Sequence, residues 1–378
     1  MVTAFDEDAP PPLTGVRVVD LSRLLPGAFA TLMLAELGAE VIKVEDPVAG
    51  GDPMRRLPPL VGGRGIYDLL LNRGKKSVAL DLRDAGNATA LDQLVASADI
   101  VVESFRPRAA RRLGVAGDQL RARYPRLIHC AITGYGQTGP YAERPGHDLN
   151  YVAISGLLAA DRRPPGDLPK MFIADVGAGA MTSVIGMLAA LVGRERHGQG
   201  ATLDVSMHDA ALYWVMVPAA RDLLEDGAAV TGELPTFGAH ACYNVYQTRD
   251  GRWLALGALE RKFWVAFCEA VGRPDLAARH ATDAGDQAEL LDEVRALFAT
   301  RTCAEWLALF EGHDVCLTPV NQPAEALRDP HIEARGTVRA GPGLRAIRPP
   351  FLHRPADLAA APALGEHTEA VLSALRRR

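Results

Sequence analysis

Cysteine is scarce in this chain and shows no pattern. The five residues, Cys130, Cys242, Cys268, Cys303 and Cys316, are far apart and form no CxxC pair. That speaks against both a disulfide framework and a zinc site, and it suits reduced thiols in or near a core. A long basic tract is also missing: 41 Lys and Arg are set against 46 Asp and Glu, for a net charge of -5. Nucleic acid is therefore not expected as the main partner, although a phosphate-bearing small ligand needs only a few local cations. Met1 to Thr14 is acidic and Pro-rich, with no basic segment leading into an apolar run, so no signal peptide is read and a cytoplasmic location is expected. The longest apolar stretches, Met181 to Val192 and Ala210 to Ala220, fall well short of the roughly 20 residues of a membrane span. No GxGxxG follows the first predicted strand, so Ser22 to Gly27 is not a dinucleotide fingerprint. No internal repeat is visible.

What is present is a chain of 378 residues, 48% apolar and 23% charged, enough for one large core or two domains. Val16 to Leu21 reads as a strand, Phe29, Leu32, Met33 and Leu37 mark one face of a helix, and Val41 to Val44 forms the next strand. Two strands bridged by a single helix are most simply parallel neighbours. The rhythm repeats through strands at Ser77 to Leu82, Ile100 to Glu103 and Leu127 to Ile132, with helices near Asn87 to Ala96 and Leu120. The fold class expected is α/β, a Rossmann-like parallel sheet. A further strand, Ala201 to Val205, and a helix from about His208 to Leu224 follow.

Glu225 to Thr236 loses periodicity and reads as a linker. Strands near Cys242 to Thr248 and Arg252 to Gly257, around the turn Arg249-Asp250-Gly251, then open a smaller α+β domain with helices through Lys262 to Phe310. The organisation expected is a large domain over 1–224, a small one over 225–328, and a tail over 329–378. Prolines at 342, 349, 350, 355 and 362 keep structure in the tail short until a last helix at Glu366 to Arg377.

Three places carry chemistry-bearing residues. Gly134 to Pro145 is a Gly-rich loop after a strand, where α/β proteins tend to place ligands, and it leads directly into His147. Histidine takes and gives protons near neutral pH, but a loop imidazole bonded to backbone fits equally well. Asp148 either orients a neighbour or holds the loop. Asp175, before Val-Gly-Ala-Gly-Ala and a long apolar helix, reads as an N-cap, with small residues that let a ligand approach the N–H groups of Val176 and Gly177. A carboxylate beside such donors suits proton abstraction alpha to a carbonyl, and capping alone is the plainer alternative. Glu260, just after a strand of the small domain, is placed either to face a cleft or simply to be solvated.

Several blocks occur together and in order: Gly15-Val-Arg-Val-Val-Asp20, Leu37-Gly-Ala-Glu-Val-Ile-Lys43, Thr133-Gly-Tyr-Gly-Gln-Thr-Gly-Pro140, Thr318-Pro-Val320 and Pro330-His331. Through them the chain resembles the family III coenzyme A transferases (CaiB/BaiF-like), and within that family it is most similar to the alpha-methylacyl-CoA racemases. The resemblance implies an interlocked homodimer, with a large domain completed by the C-terminal tail and active sites formed between subunits. It implies acyl-CoA thioesters as substrate and no cofactor beyond the coenzyme A they carry. Transferases of the family use the Asp at the position of Asp175 as a nucleophile; the racemases add the His of Gly146-His-Asp-Leu-Asn-Tyr151 and the Glu matching Glu260. By the same resemblance Lys75 and Arg112 belong near the adenosine and phosphates, with Arg55 or Arg56 as a local substitute. Asp46 stands where family members often carry Arg, so the contacts there are rearranged or Asp46 turns away. Residues around Leu157 and within Met207 to Val217 are candidates for touching the acyl chain.

Overall fold

The computed structural model describes residues 10–160, 170–224, 235–280, 284–341, 344–350 and 359–377. All but the last two residues of the expected linker at 225–236 lie outside them, as do Pro342 and Pro355 of the tail. The chain forms two compact units, one of Met1–Glu225 with Gly336–Arg378 and one of Asp226–Arg335.

The first unit opens with β1 (Arg17–Asp20), α1 (Leu24–Glu36) and β2 (Glu40–Glu45). A two-residue hairpin, β3 (Leu60–Val61) and β4 (Arg64–Gly65), precedes α2 (Ile66–Leu71) and β5 (Lys76–Ala79). Then come α3 (Ala88–Ala96), β6 (Ile100–Glu103), α4 (Pro107–Arg112), α5 (Gly117–Arg123) and β7 (Ile128–Thr133). After a loop follow α6 (Asp148–Ile154) and α7 (Leu157–Ala160), then a helix that runs as a wide π-turn segment over Ile173–Ala180 and continues as α8 (Met181–His197), and finally β8 (Thr202–Ser206) and α9 (Met207–Trp214).

Six strands pair in parallel in the order β5-β2-β1-β6-β7-β8, with Val18 opposite both Val41 and Ile100. Side chains alternate across a strand, so one sheet builds two cores. Val18, Val41, Val102 and Ile132 face α1 and α8, meeting Leu34, Val184 and Met187. Val19, Ile42, Val78 and Val101 face α3, α4 and α5, meeting Leu94, Ala110 and Leu120. Burial on both faces explains why these strands read as apolar runs without alternation.

The second unit is an antiparallel sheet, β9 (Tyr243–Gln247), β10 (Trp253–Gly257) and β11 (Leu317–Pro319), with β10 in the middle. Its helices are α10 (Arg261–Ala270), α11 (Ala284–Phe298), α12 (Cys303–Leu309), α13 (Pro323–Ala326) and α14 (Pro330–Ala334). An aromatic core locks it: Tyr246 stacks on Phe298 at 4.9 Å and Trp264 on Phe267 at 5.3 Å. The indole N–H groups of the buried Trp264 and Trp306 donate to the Leu276 and Phe298 carbonyls respectively, so neither is left unsatisfied.

The chain then returns to the first unit through β12 (Val338–Gly341) and β13 (Leu344–Ile347), a separate hairpin, and α15 (Thr368–Arg376). Val371 enters the second core of the large sheet, and the Thr368 hydroxyl accepts from Ala79 N–H at 2.9 Å.

Three expectations change. The helix expected over 208–224 ends at Trp214, and turns carry the chain onward past Pro218. Four cysteines are buried, but Cys316 is exposed. The apolar helix begins at Ile173 and not at Met181, so that by length and composition 173–197 is the one helix among the described residues able to cross a membrane; its Val184, Met187 and Leu191 nevertheless sit in the core.

At the carboxyl edge of the sheet lies a layer of buried charge. Asp20 accepts from Ser22 N–H at 2.9 Å and from the Thr31 hydroxyl at 2.7 Å, and lies 3.8 Å from Lys43 and 3.5 Å from Lys75. Burial alone would raise the Asp20 pKa, but the two lysines and these hydrogen bonds carry it below the usual value. Lys43 also pairs with Asp52 at 3.1 Å. Removing one member of such a layer leaves a buried charge uncompensated, at a cost of about 3–5 kcal/mol. Asp20→Ala is therefore expected to lower unfolding free energy by that amount in urea titrations, while Arg111→Ala, which loses the exposed pair with Asp118, changes it by less than about 1 kcal/mol. Equal effects would contradict the role given to the layer.

Candidate functional site

The loop after β7 leaves the carboxyl edge of the sheet and is shaped by what it lacks. A Cβ on Gly134 would stand 2.5 Å from the Tyr151 hydroxyl, and one on Gly146 would stand 2.7 Å from the Tyr151 ring. With both absent, Tyr151 of α6 packs inward and is buried. Tyr135 meets Tyr151 edge-on at 5.1 Å and Tyr141 at 5.7 Å, while Arg144 lies over the Tyr141 ring at 3.9 Å. The loop is thus a packed aromatic wedge that fixes where α6 begins.

His147 is the N-cap residue of α6, exposed, and its backbone N–H donates to the Asn150 side chain at 3.0 Å. Asp148, the first helical residue, accepts the Asp175 backbone N–H at 2.8 Å. The residue expected either to orient a neighbour or to hold the loop thus joins the His147 segment to the Asp175 segment. Asp175 itself is not an N-cap. Phe172 holds that place, and Asp175 is the third residue of the π-turn segment. The expected donors Val176 and Gly177 both give their N–H groups to the Phe172 carbonyl, at 3.1 and 3.3 Å, so they are engaged within the helix. The positive end of the helix dipole still points at this turn. Trp214 closes over it: a Cβ on Gly177 would stand 2.8 Å from the indole.

Burial, and after it the neighbouring carboxylate of Asp148, push the Asp175 carboxyl up to about 7. Burial, followed by the Asp175 charge, likewise holds the Tyr151 hydroxyl above its usual range, so it remains protonated.

Glu260 lies in the second unit, as the N-cap residue of α10. It is exposed and makes no cap bond with its side chain, and its charge, after burial, helps to raise the Cys316 thiol.

A cavity of about 350 Å³ opens at the carboxyl ends of β1, β2, β5 and β6. Arg112 lines it. The other expected phosphate ligands do not present themselves to it. Lys75 is buried and donates to the Ala28 carbonyl (3.0 Å), Thr31 (2.8 Å) and Asn72 (2.9 Å); burial, partly offset by Asp20, lowers its pKa to about 8. Arg55 is buried in a two-pronged pair with Glu45, at 2.8 and 2.7 Å. Arg56 folds back onto the Ala49 and Gly50 carbonyls. None of these three side chains lines the cavity. Asp46 turns into its own loop, accepting from Val48 and Ala49 N–H at 2.9 and 3.2 Å, and pairs with Arg83 at 3.0 Å. Sequence reasoning missed Arg23, Arg83 and Phe105, which also line the cavity. The available signal was position: each follows the carboxyl end of a sheet strand by a few residues.

The raised Asp175 pKa has a consequence for stability. A folded-state value above the unfolded one, near 4, means the native state favours the protonated form, so its stabilising effect is complete below pH 4 and is lost as pH rises through about 7. Asp175→Asn should match the parent at pH 4 and exceed it by on the order of 3 kcal/mol at pH 8 in urea titrations. An unchanged difference between the two pH values would contradict the shift.

The match to known proteins covers nearly the whole chain. The family model described as CoA-transferase family III matches residues 13–368. The mouse alpha-methylacyl-CoA racemase is 33% identical, over 95% of this chain and 92% of its own length. Mouse succinyl-CoA:glutarate CoA-transferase is 31% identical, over 98% and 88%. A solved CAIB/BAIF family protein from Brucella suis is 31% identical, covers 96% of this chain and 99% of its own, and superposes with a TM-score of 0.82. Relatives named as transferases are at least as numerous as those named as racemases. With an α/β sheet unit and a smaller α+β unit matched from end to end, the chain belongs to CoA-transferase family III and is a coenzyme A-utilising enzyme of the CaiB/BaiF superfamily.

Proposed function

We propose that the chain is a racemase of 2-methyl-branched acyl-CoA thioesters, with His147 and Asp175 as the two proton-transfer groups. The observation that carries this reading is the bond from Asp175 N–H to Asp148, which fixes a histidine segment and a carboxyl poised at about 7 in one construction. A group whose pKa lies near the working pH is suited both to taking and to giving a proton. One base removes the alpha proton while the other, already protonated, returns one from the opposite face; the roles exchange with the enantiomer. The thioester supplies the acidity, and the helix dipole at the start of 173–197 favours the enolate charge.

By the resemblance to the racemases, Glu260 is proposed to complete the catalytic set, and the adenosine end of the thioester is proposed to occupy the cavity that Arg112 lines together with Arg23 and Phe105. Trp214 and the turns after it are proposed to meet the acyl chain. The enzyme is proposed to work as a homodimer. Supporting this, Met181, Ile185 and Val192 stand exposed along one side of the long helix, and Tyr213, Trp214, Met216 and Val217 are exposed beyond α9; a surface this apolar is typical of an interface.

The comparisons favour a second reading, CoA transfer between carboxylic acids. There the Asp175 carboxylate attacks the thioester carbonyl, coenzyme A leaves as thiolate, and an acyl-aspartyl anhydride remains. A carboxyl near 7 keeps both its ionised and its protonated form at neutral pH, as a group that takes and gives a proton requires.

Incubating an (R)-2-methylacyl-CoA in deuterated water without an acceptor acid separates the two. Racemisation predicts deuterium at the alpha carbon with loss of optical purity, and His147→Ala or Asp175→Asn should slow both by roughly 100-fold or more. No exchange, with coenzyme A moving to an added dicarboxylic acid, would establish the transferase instead.

A further inference from the structure

We infer that the groove between α15 and the amino ends of β1, β2 and β5 is a second ligand site, built for a free medium-chain carboxylic acid bound as its anion. It lies at the opposite end of the sheet from the cavity at the carboxyl ends of the strands, and it is independent of the roles given to His147 and Asp175.

Strand register assembles the polar end of the groove. Arg17 and Glu40 are partners across β1 and β2, and Lys76 of β5 stands opposite Ile42, so all four side chains leave one face of the sheet near the start of their strands. Glu40 accepts from Arg17 Nε at 2.5 Å through one oxygen and from Lys76 Nζ at 2.5 Å through the other. Burial opposes its charge, but Lys76 and Arg17 hold the carboxyl below its usual range, so it is ionised. Two cations thus meet one carboxylate, and the excess is positive. The nearby Asp99 does not offset it: that residue takes the Arg17 backbone N–H at 2.8 Å and is balanced by Arg194 at 2.9 Å. Neither cation is spent. An ammonium carries three donors and a guanidinium five. Among the described residues Lys76 Nζ bonds only to Glu40, and Arg17 Nη1 and Nη2 bond to no acceptor, so donors remain for a second carboxylate.

The apolar end comes from α15. His367, Ala370, Val371, Ala374 and Leu375 follow the i, i+3, i+4, i+7, i+8 spacing of a single helix face, and all five line the groove. Val371 and Leu375 pack into the second core with Ile42, whereas the exposed Ala370 and Ala374 are too short to close the space beside them. About 280 Å³ is left between this face and the Arg17, Glu40 and Lys76 side chains. That volume is close to the lower limit of small-molecule sites and suits a chain of about eight carbons. A ligand with one negative head and an apolar chain matches both ends. A neutral alcohol of the same length would leave the spare donors unmet, and a dianion would exceed the single charge in excess.

The test is an NMR titration of the full-length protein, labelled at its Ile, Leu and Val methyl groups, with sodium octanoate and with octan-1-ol. Octanoate should shift the Ile42, Val371 and Leu375 methyls saturably and bind about fivefold or more tightly than octanol. Lys76 and Ala374 are both exposed enough to be replaced without loss of the fold. Lys76→Gln should weaken octanoate about tenfold and leave octanol within about twofold. Ala374→Trp, which fills the groove from its open side, should weaken both by about tenfold or more. Octanoate that shifts only methyls elsewhere, or whose affinity survives both substitutions, would overturn the site. Equal affinity of the parent for octanoate and octanol would overturn its selection of an anion.

Discussion

The hydrogen bond from Asp175 N–H to the Asp148 carboxylate is the contact on which the candidate site depends. It joins the aromatic loop after β7 to the first turn of the helix 173–197, two segments separated in sequence by more than 20 residues. It also sets the chemistry, since the acceptor carboxylate stays beside Asp175 and adds to the effect of burial on its pKa. A conventional N-cap would have left the Asp175 side chain bonded to its own helix and ionised. Placing it at the third position of a widened turn, under Trp214, does the reverse.

The carboxyl edge of the same sheet follows another logic. Asp20, Lys43, Lys75, Glu45 and Arg55 are paired below the surface, whereas Arg23, Arg83 and Arg112 are exposed at the cavity. The β1–α1 turn, which holds pyrophosphate in dinucleotide-binding proteins, is tied down here: Leu24 adopts a positive φ of 61° and its N–H points at Asp52. The cavity at the strand ends is nevertheless bordered by that turn, through Ser22 and Arg23.

Much of the architecture was legible because it depends on local pattern. Most of the strands, and the turn at Arg249 to Gly251, are properties of a few adjacent residues and fall within a residue or two of their observed places, whereas the helix expected to reach Leu224 ends at Trp214. The motif Gly146 to Tyr151 likewise identified its region. What could not be read was pairing over distance. Lys75 and Arg55 look like surface cations in sequence, yet each is buried by partners such as Asp20 and Glu45 that only the fold brings near. Arg83 looked like one arginine among many until the sheet order placed it on a cavity rim. The π-turn start at Ile173 leaves no periodic signature, so in sequence Asp175 reads as a cap.

The central claim is that Asp175 is a proton-transfer group held near neutrality by burial and by Asp148. The most direct measurement is a titration of the Asp175 carboxyl carbon by ¹³C NMR in aspartate-labelled protein, assigned by comparison with Asp175→Asn. A midpoint near 7 is the result this account predicts. A midpoint near 4, the ordinary aspartate value, would contradict it.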